Sequence, residues 1–283
     1  MAKVNWLKGA VVACSSAALA GVGALAYARY VEPARVDVTP ITLTLKRLAR
    51  EFDGYRIVQL SDIHVDGVMT RERLTQIVAR VNAQNPDLVV VTGDFVSHRI
   101  AFNADDLITP LCKLKARDAK VAVMGNHDQR EHTLMVRRVL DESGLINLNN
   151  AVHTVERGGA RLHVAGVDSL YRQRARLDLV MNQLPEDGAA ILLAHEPDFA
   201  DVSAATGRFD LQLSGHSHGG QVRLPVLVRF GLPHYGERYV IGLHLVGEML
   251  LYVNRGLGMT SMPIRFNCRP EISVITLRAV LED

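Results

Sequence analysis

An α/β domain is what the sequence predicts, on two observations. Short, β-branched apolar runs recur at 55–60, 88–92, 121–124, 162–167, 191–194 and 211–214, and the early ones are separated by stretches of helical spacing. Runs of that length read as buried strands, and their alternation with helices predicts a largely parallel or mixed sheet. The first helix is expected from Leu74, Ile77, Val78 and Val81 on one face, ending before Pro86 after Asn85. A second is expected from Leu134, Val139 and Leu140, closing at Gly144. Beyond Gly219 the pattern changes to strand-like runs at 239–245, 249–253 and 272–277 without clear helices between them, which predicts a second, more antiparallel sheet.

Composition bounds the alternatives. With 283 residues, 48% of them hydrophobic and 22% charged, the chain can bury a sizeable core and is neither disordered nor low-complexity. Its 32 basic and 30 acidic side chains leave a formal charge of +2, too small to predict a nucleic-acid partner bound through a broad basic surface. Cys14, Cys112 and Cys268 are odd in number and widely spaced, which indicates neither a disulfide framework nor a thiolate zinc site.

The first fifty residues read as a separate object. No charged residue occurs from Gly9 to Ala28, about the length a helix needs to cross a bilayer. Residues 1–28 are therefore expected to be a hydrophobic helix acting as a signal anchor, with a cleaved signal peptide as the alternative. The basic residues on the two flanks balance, so the positive-inside rule does not choose a membrane face. Residues 29–53 are expected to be an approach segment whose alternating run Ile41–Leu45 forms an edge strand, and residues 54–283 the globular domain.

Five clusters of metal-ligand type follow the predicted strands: Asp62-Ile63-His64, Gly93-Asp94, Gly125-Asn126-His127-Asp128, Ala194-His195-Glu196 and Gly215-His216-Ser217-His218. Each alone is weak. Loops at the carboxyl ends of strands share one rim of an α/β sheet, however, so the series together predicts a metal site. Six further histidines, His98, His132, His153, His163, His234 and His244, belong to no motif.

The series resembles that of the calcineurin-like metallophosphoesterases over residues 55–218. Asn254-Arg255-Gly256-Leu257-Gly258, Pro263-Ile264-Arg265-Phe266 and Pro270-Glu271 further resemble the membrane-associated bacterial phosphodiesterases of the YaeI/YkuE type. The resemblance implies a four-layer αββα sandwich of two mixed sheets. It assigns Asp62, His64, His218 and Asp94 to one divalent ion, and Asn126, His195, His216 and Asp94 to a second, with Asp94 as the bridge. His127 becomes the general acid or charge stabiliser at the leaving oxygen, with Asp128 either orienting it or capping a helix. Imidazole and carboxylate donors without thiolate suit Mn, Fe or Zn. Arg172 and Arg265 are candidates for holding the phosphate.

The function this implies is hydrolysis of a phosphodiester or pyrophosphate by a metal-bridging hydroxide, at the inner membrane of a bacterial cell. A lipid-linked nucleotide, UDP-2,3-diacylglucosamine of lipid A synthesis, is one substrate the resemblance admits. The alternatives are an exported cell-envelope phosphodiesterase and a catalytically silent scaffold. A protein phosphatase is disfavoured because Gly93-Asp94 continues Phe95-Val96-Ser97-His98, which lacks the arginine that those enzymes carry there. Leu224–Leu232 could line an acyl pocket or touch the bilayer, with ordinary strand or core packing the better reading.

Overall fold

The computed structural model describes residues 15, 16, 18–97, 103–130, 132–224, 231–260 and 262–280. His98 and most of the 224–232 run lie outside them, as does the first half of the expected anchor. The first sheet contains β1 (Asp37–Leu45), β2 (Arg56–Leu60), β3 (Leu88–Thr92), β4 (Ala119–Val123), β5 (Ile146–Asn147) and β12 (Glu271–Ala279), in the order β1-β12-β2-β3-β4-β5. Strands β2 to β5 are parallel and are joined by α1 (Arg71–Asn82), α2 (Asp105–Leu111) and α3 (Thr133–Ser143). The second sheet contains β6 (Ala151–Arg157), β7 (Ala160–Gly166), β8 (Ala189–Leu193), β9 (Leu211–Ser214), β10 (Gly242–Val246) and β11 (Met249–Val253), ordered β10-β11-β9-β8-β7-β6. Against it lie the short helices α4 (Leu177–Gln183) and α5 (Ala200–Ala204).

Three apolar cores follow from the period of two in the strands, whose successive side chains face opposite ways. Val89 and Val91 of β3 meet Leu74, Ile77, Val78 and Val81 of α1, while Leu88 and Val90 of the same strand point into the space between the sheets. There they join Leu162, Val164, Ile191 and Leu193 from the second sheet. Ala190 and Leu192 of β8 face outward onto Val180, Phe199 and Ala200. The layers are thus helix, sheet, sheet, helix. All four apolar residues expected on the inner face of α1 are buried, and Thr70 caps that helix by accepting from the Arg73 amide.

Three expectations need correction. The second sheet begins at β6, well before Gly219, and only β10 and β11 of the late strands join it. Strand β12 instead returns to the first sheet, parallel to β1 over nine residues and antiparallel to β2. Its apolar run reports burial on both faces, which fits a central position in either sheet. In α3 the inward stripe is Val136, Val139 and Leu140, closed by Gly144 in a left-handed turn, whereas Leu134 is 80% exposed. Leu134 and Val139 are five positions apart, so the two cannot share a helical face.

The approach segment is built into this frame. Its strand β1 is the edge of the first sheet and its buried Glu32 carboxylate accepts from the Cys268 amide, while just before it the Ala28 carbonyl accepts from the Arg265 amide. Residues 18–26 are helical with Leu19, Val22 and Leu25 exposed. Among the described residues, no helix is long and apolar enough to cross a membrane.

Candidate metal centre

The five motifs meet at the facing rims of the two sheets. Asp62, His64, Asp94, His216 and His218 all have left-handed backbone, with φ between 48° and 68°. L-residues enter that region at a cost of about 1–2 kcal/mol each, so five together store strain that the surrounding structure must offset. Main-chain bonds impose it. The Asp62 amide donates to the Gly93 carbonyl, and the His64 and Val65 amides to Asp94 and Phe95, so the first two motif loops run side by side. Buried Asp128 then accepts from the amides of Phe95 at 2.9 Å, Val96 at 3.2 Å and Gly125 at 2.9 Å, fastening the second loop to the third. Glycine is required at two crossings: a Cβ on Gly125 would collide with the Asp94 carboxylate, and one on Gly215 with Ser61 and the Asp62 carboxylate.

Two groups of buried donors result, Asp62 with His64 and His218, and Asp94 with His195 and His216, each with its ligand atoms within 4.8 Å of one another. In the first, His64 Nε2 lies 3.2 Å from His218 Nε2, and His218 Nε2 lies 3.4 Å from Asp62 Oδ1. In the second, His195 Nε2 is 3.2 Å from Asp94 Oδ2, 3.2 Å from Asn126 Oδ1 and 3.2 Å from His216 Nδ1. Asp94 Oδ2 is also 3.5 Å from His64 Nε2, so one oxygen faces both groups. Ligands about 2.0–2.2 Å from a shared ion at tetrahedral or octahedral angles stand about 3.0–3.5 Å apart, the spacing seen here.

Carbonyl partners select the tautomers. His64 Nδ1 faces the Val96 carbonyl at 3.2 Å, His195 Nδ1 that of Thr92 at 2.7 Å, and His216 Nε2 that of His234 at 2.9 Å. Each ring then turns its other nitrogen, with its lone pair, into the cluster. Acceptors crowded this way repel unless a cation lies among them, so the donor set fits a pair of divalent ions.

The protonation pattern of the metal-free cluster agrees. Burial drives His64 down to about 3 and His216 to about 4, and holds His218 well below its ordinary value. Burial, the largest single influence, would depress His195, but the charge and hydrogen bond of Asp94 together with the charges of Asp62 and Glu196 outweigh it and raise His195 well above the usual imidazole range. Asp94 is the mirror case: burial pushes it up, while His195, His127 and His64 together hold it well below a normal carboxylate. Asp62 is pushed up to about 6, chiefly by burial. A proton on His195 thus takes the place that a metal would fill.

Of the other expected residues, His127 lines the cavity in front of the cluster, with Nε2 4.0 Å from Asp94 Oδ2. Asp128 ties loops together through backbone amides. Arg172 donates from Nε to the Asn126 carbonyl at 3.0 Å, beside the cluster. Arg265 is a correction: its side chain is fully buried and bonded to the carbonyls of Arg255, Gly256, Gly258 and Cys268, out of reach of any substrate. No role is expected from the sequence for Glu196, Tyr171 or His234. The adjacency of Glu196 to His195 was the one signal available for it, and the other two come close only through the fold.

Residues 55–220 match the calcineurin-like phosphoesterase family. The chain is 35% identical to the uncharacterized metallophosphoesterase YkuE of Bacillus subtilis, covering 99% of this chain and 98% of that one. It is 28% identical to the phosphodiesterase YaeI of Escherichia coli, covering 93% and 96%. A transmembrane protein with a metallophosphoesterase domain from Danio rerio is 31% identical, covering 85% of this chain and 57% of the relative. The paired donor groups, the expected motif order and these matches agree: the chain belongs to the calcineurin-like metallophosphoesterase family and is a phosphoester hydrolase.

Proposed function

We propose that the protein is a dimetal phosphodiesterase. Asp62, His64 and His218 would hold one ion, Asn126, His195 and His216 the other, and Asp94 both. The observation that carries this reading is the single oxygen, Asp94 Oδ2, at 3.5 Å from His64 Nε2 and 3.2 Å from His195 Nε2. The donor types suit Mn, Fe or Zn. Two such ions, when bound, neutralise phosphoryl oxygens and acidify water for in-line attack.

The chain's own groups supply the rest. His127, with its side chain about a quarter exposed at the cavity, is placed to give a proton to the departing ester oxygen. The Arg172 guanidinium is held at Nε by the Asn126 carbonyl, beside the donor cluster, a position that suits a clamp on an anionic phosphoryl oxygen. Asp128 holds Asp94 and Asn126 in place through the loops it joins. A diester is favoured over a monoester by the name of the YaeI relative. The narrower substrate, a diacylated nucleotide sugar, rests on resemblance alone. We place the protein at a membrane through its N-terminal segment, supported by the uncharged run 9–28.

The test is metal content and diester hydrolysis measured together on the purified chain. Two ions per chain and turnover that both disappear in Asp94→Ala support the reading. Turnover retained in a metal-stripped Asp94→Ala protein contradicts it.

A further inference from the structure

A cavity of about 340 Å³ opens over Asp94, Asn126, His127 and His216, and one of its walls is made by Tyr171, Pro233 and His234. The Tyr171 ring lies 6.3 Å from that of His216 and 6.5 Å from that of His234, with Tyr235 6.4 Å away. These contacts run edge to face, at 60° to 87°, while His234 and Tyr235 close up to 3.9 Å.

One segment pins the whole wall to the metal cluster. After His195, the buried Glu196 carboxylate accepts from Ser169 Oγ at 2.5 Å and from the amides of Leu170 at 3.0 Å and Tyr171 at 3.2 Å. Two residues later the Asp198 carboxylate accepts from the amides of Glu237 at 3.3 Å and Tyr239 at 3.2 Å, and its own amide donates to the Tyr235 carbonyl at 3.1 Å. Tyr235 itself has φ of 70°, a conformation that a bulky ring adopts only when its surroundings impose it. The Arg172 guanidinium sits 5.3 Å from the Tyr171 ring centroid. Rings carried on backbone fixed in this way lose less freedom when a flat group lies against them. Tyrosine and imidazole, with their polar tips, suit a planar heteroatom-bearing ring better than an acyl chain.

We propose that Tyr171 and His234, backed by Tyr235, form a subsite for a planar ring, aryl or nucleobase, on the ester group of the substrate. This rests on the phosphodiesterase reading, because the wall stands beside the donors assigned to phosphate. The test is calorimetric binding of inorganic phosphate, methyl phosphate, phenyl phosphate and a nucleoside 5′-monophosphate to the metal-loaded full chain. Phenyl phosphate or the nucleotide should bind about tenfold tighter than methyl phosphate, and whichever gains more identifies the ring's source. Tyr171→Ala should bring that ratio close to one without changing the affinity for inorganic phosphate, and Tyr171→Phe should retain the ratio. A wild-type ratio near one with phosphate still bound overturns the subsite and leaves the hydrolase reading intact. Failure to bind any of the four overturns both.

Discussion

Replacing Arg265 by Met removes a cation that works entirely through the backbone. Its guanidinium donates to the carbonyls of Gly258 (3.2 Å from Nε, 2.6 Å from Nη2), Cys268 (3.1 Å), Arg255 (2.9 Å) and Gly256 (3.2 Å). Gly256 keeps a bond from the Glu271 amide, so three carbonyls lose a principal partner. A buried acceptor left unpaired costs about 1–3 kcal/mol, and relief from burying the charge offsets several kcal/mol of the sum. The net expectation is a loss of about 1–5 kcal/mol in urea unfolding of the metal-free protein. The effect reaches the site because the loop Arg265 holds lies directly on Asp62: the Gly258 amide donates to the Asp62 carbonyl at 2.7 Å, and that of Leu257 to Ser61 at 3.0 Å. Arg265→Met should therefore weaken the ion held by Asp62, His64 and His218 while sparing the one held by His195 and His216. A loss below about 1 kcal/mol with both ions retained would refute this account of the arginine.

Other perturbations separate the remaining roles. His127→Ala should keep both ions and lose rate by about 10²–10⁴-fold, the usual worth of a general acid; loss of metal in that variant contradicts the assignment. Metal binding should displace protons unequally at the two groups. Asp62 ionises at about 6, with His64 already neutral above about 3, so affinity at their group should fall about tenfold per pH unit below about 6 and level off above it. His195 carries a raised pKa, so affinity at its group should go on rising with pH beyond that point. One shared pH dependence, read by site-resolved titration, would count against the protonation pattern. Gly125→Ala should cost metal and stability together, since the new methyl group falls on the Asp94 carboxylate; normal metal content there would show that the loop crossing is looser than described.

What the sequence disclosed and what it hid divide along a physical line. The motif clusters were readable because a ligand must sit at a strand end, and strand ends are marked by where an apolar run stops, as at Leu60 before Asp62 and His64. Helix α1 was readable because its partners lie on one sheet and its period is local. Strand β12 was misplaced because burial on both faces names no neighbour. Arg265 was misread because a buried arginine satisfied by carbonyls has the same letter as one on the surface. The Tyr171–His234 wall was invisible because residues 63 positions apart meet only through the carboxylates of Glu196 and Asp198. The left-handed backbone at Asp62, His64, Asp94, His216 and His218 had no sequence signature at all, since glycine occupies none of those positions.

Anomalous diffraction from crystals grown with manganese tests the central claim most directly. Two peaks about 3.5–4 Å apart, flanking Asp94 Oδ2, with Asp62, His64 and His218 on one side and Asn126, His195 and His216 on the other, are the predicted result. A single peak, or two peaks that do not share Asp94, would contradict it.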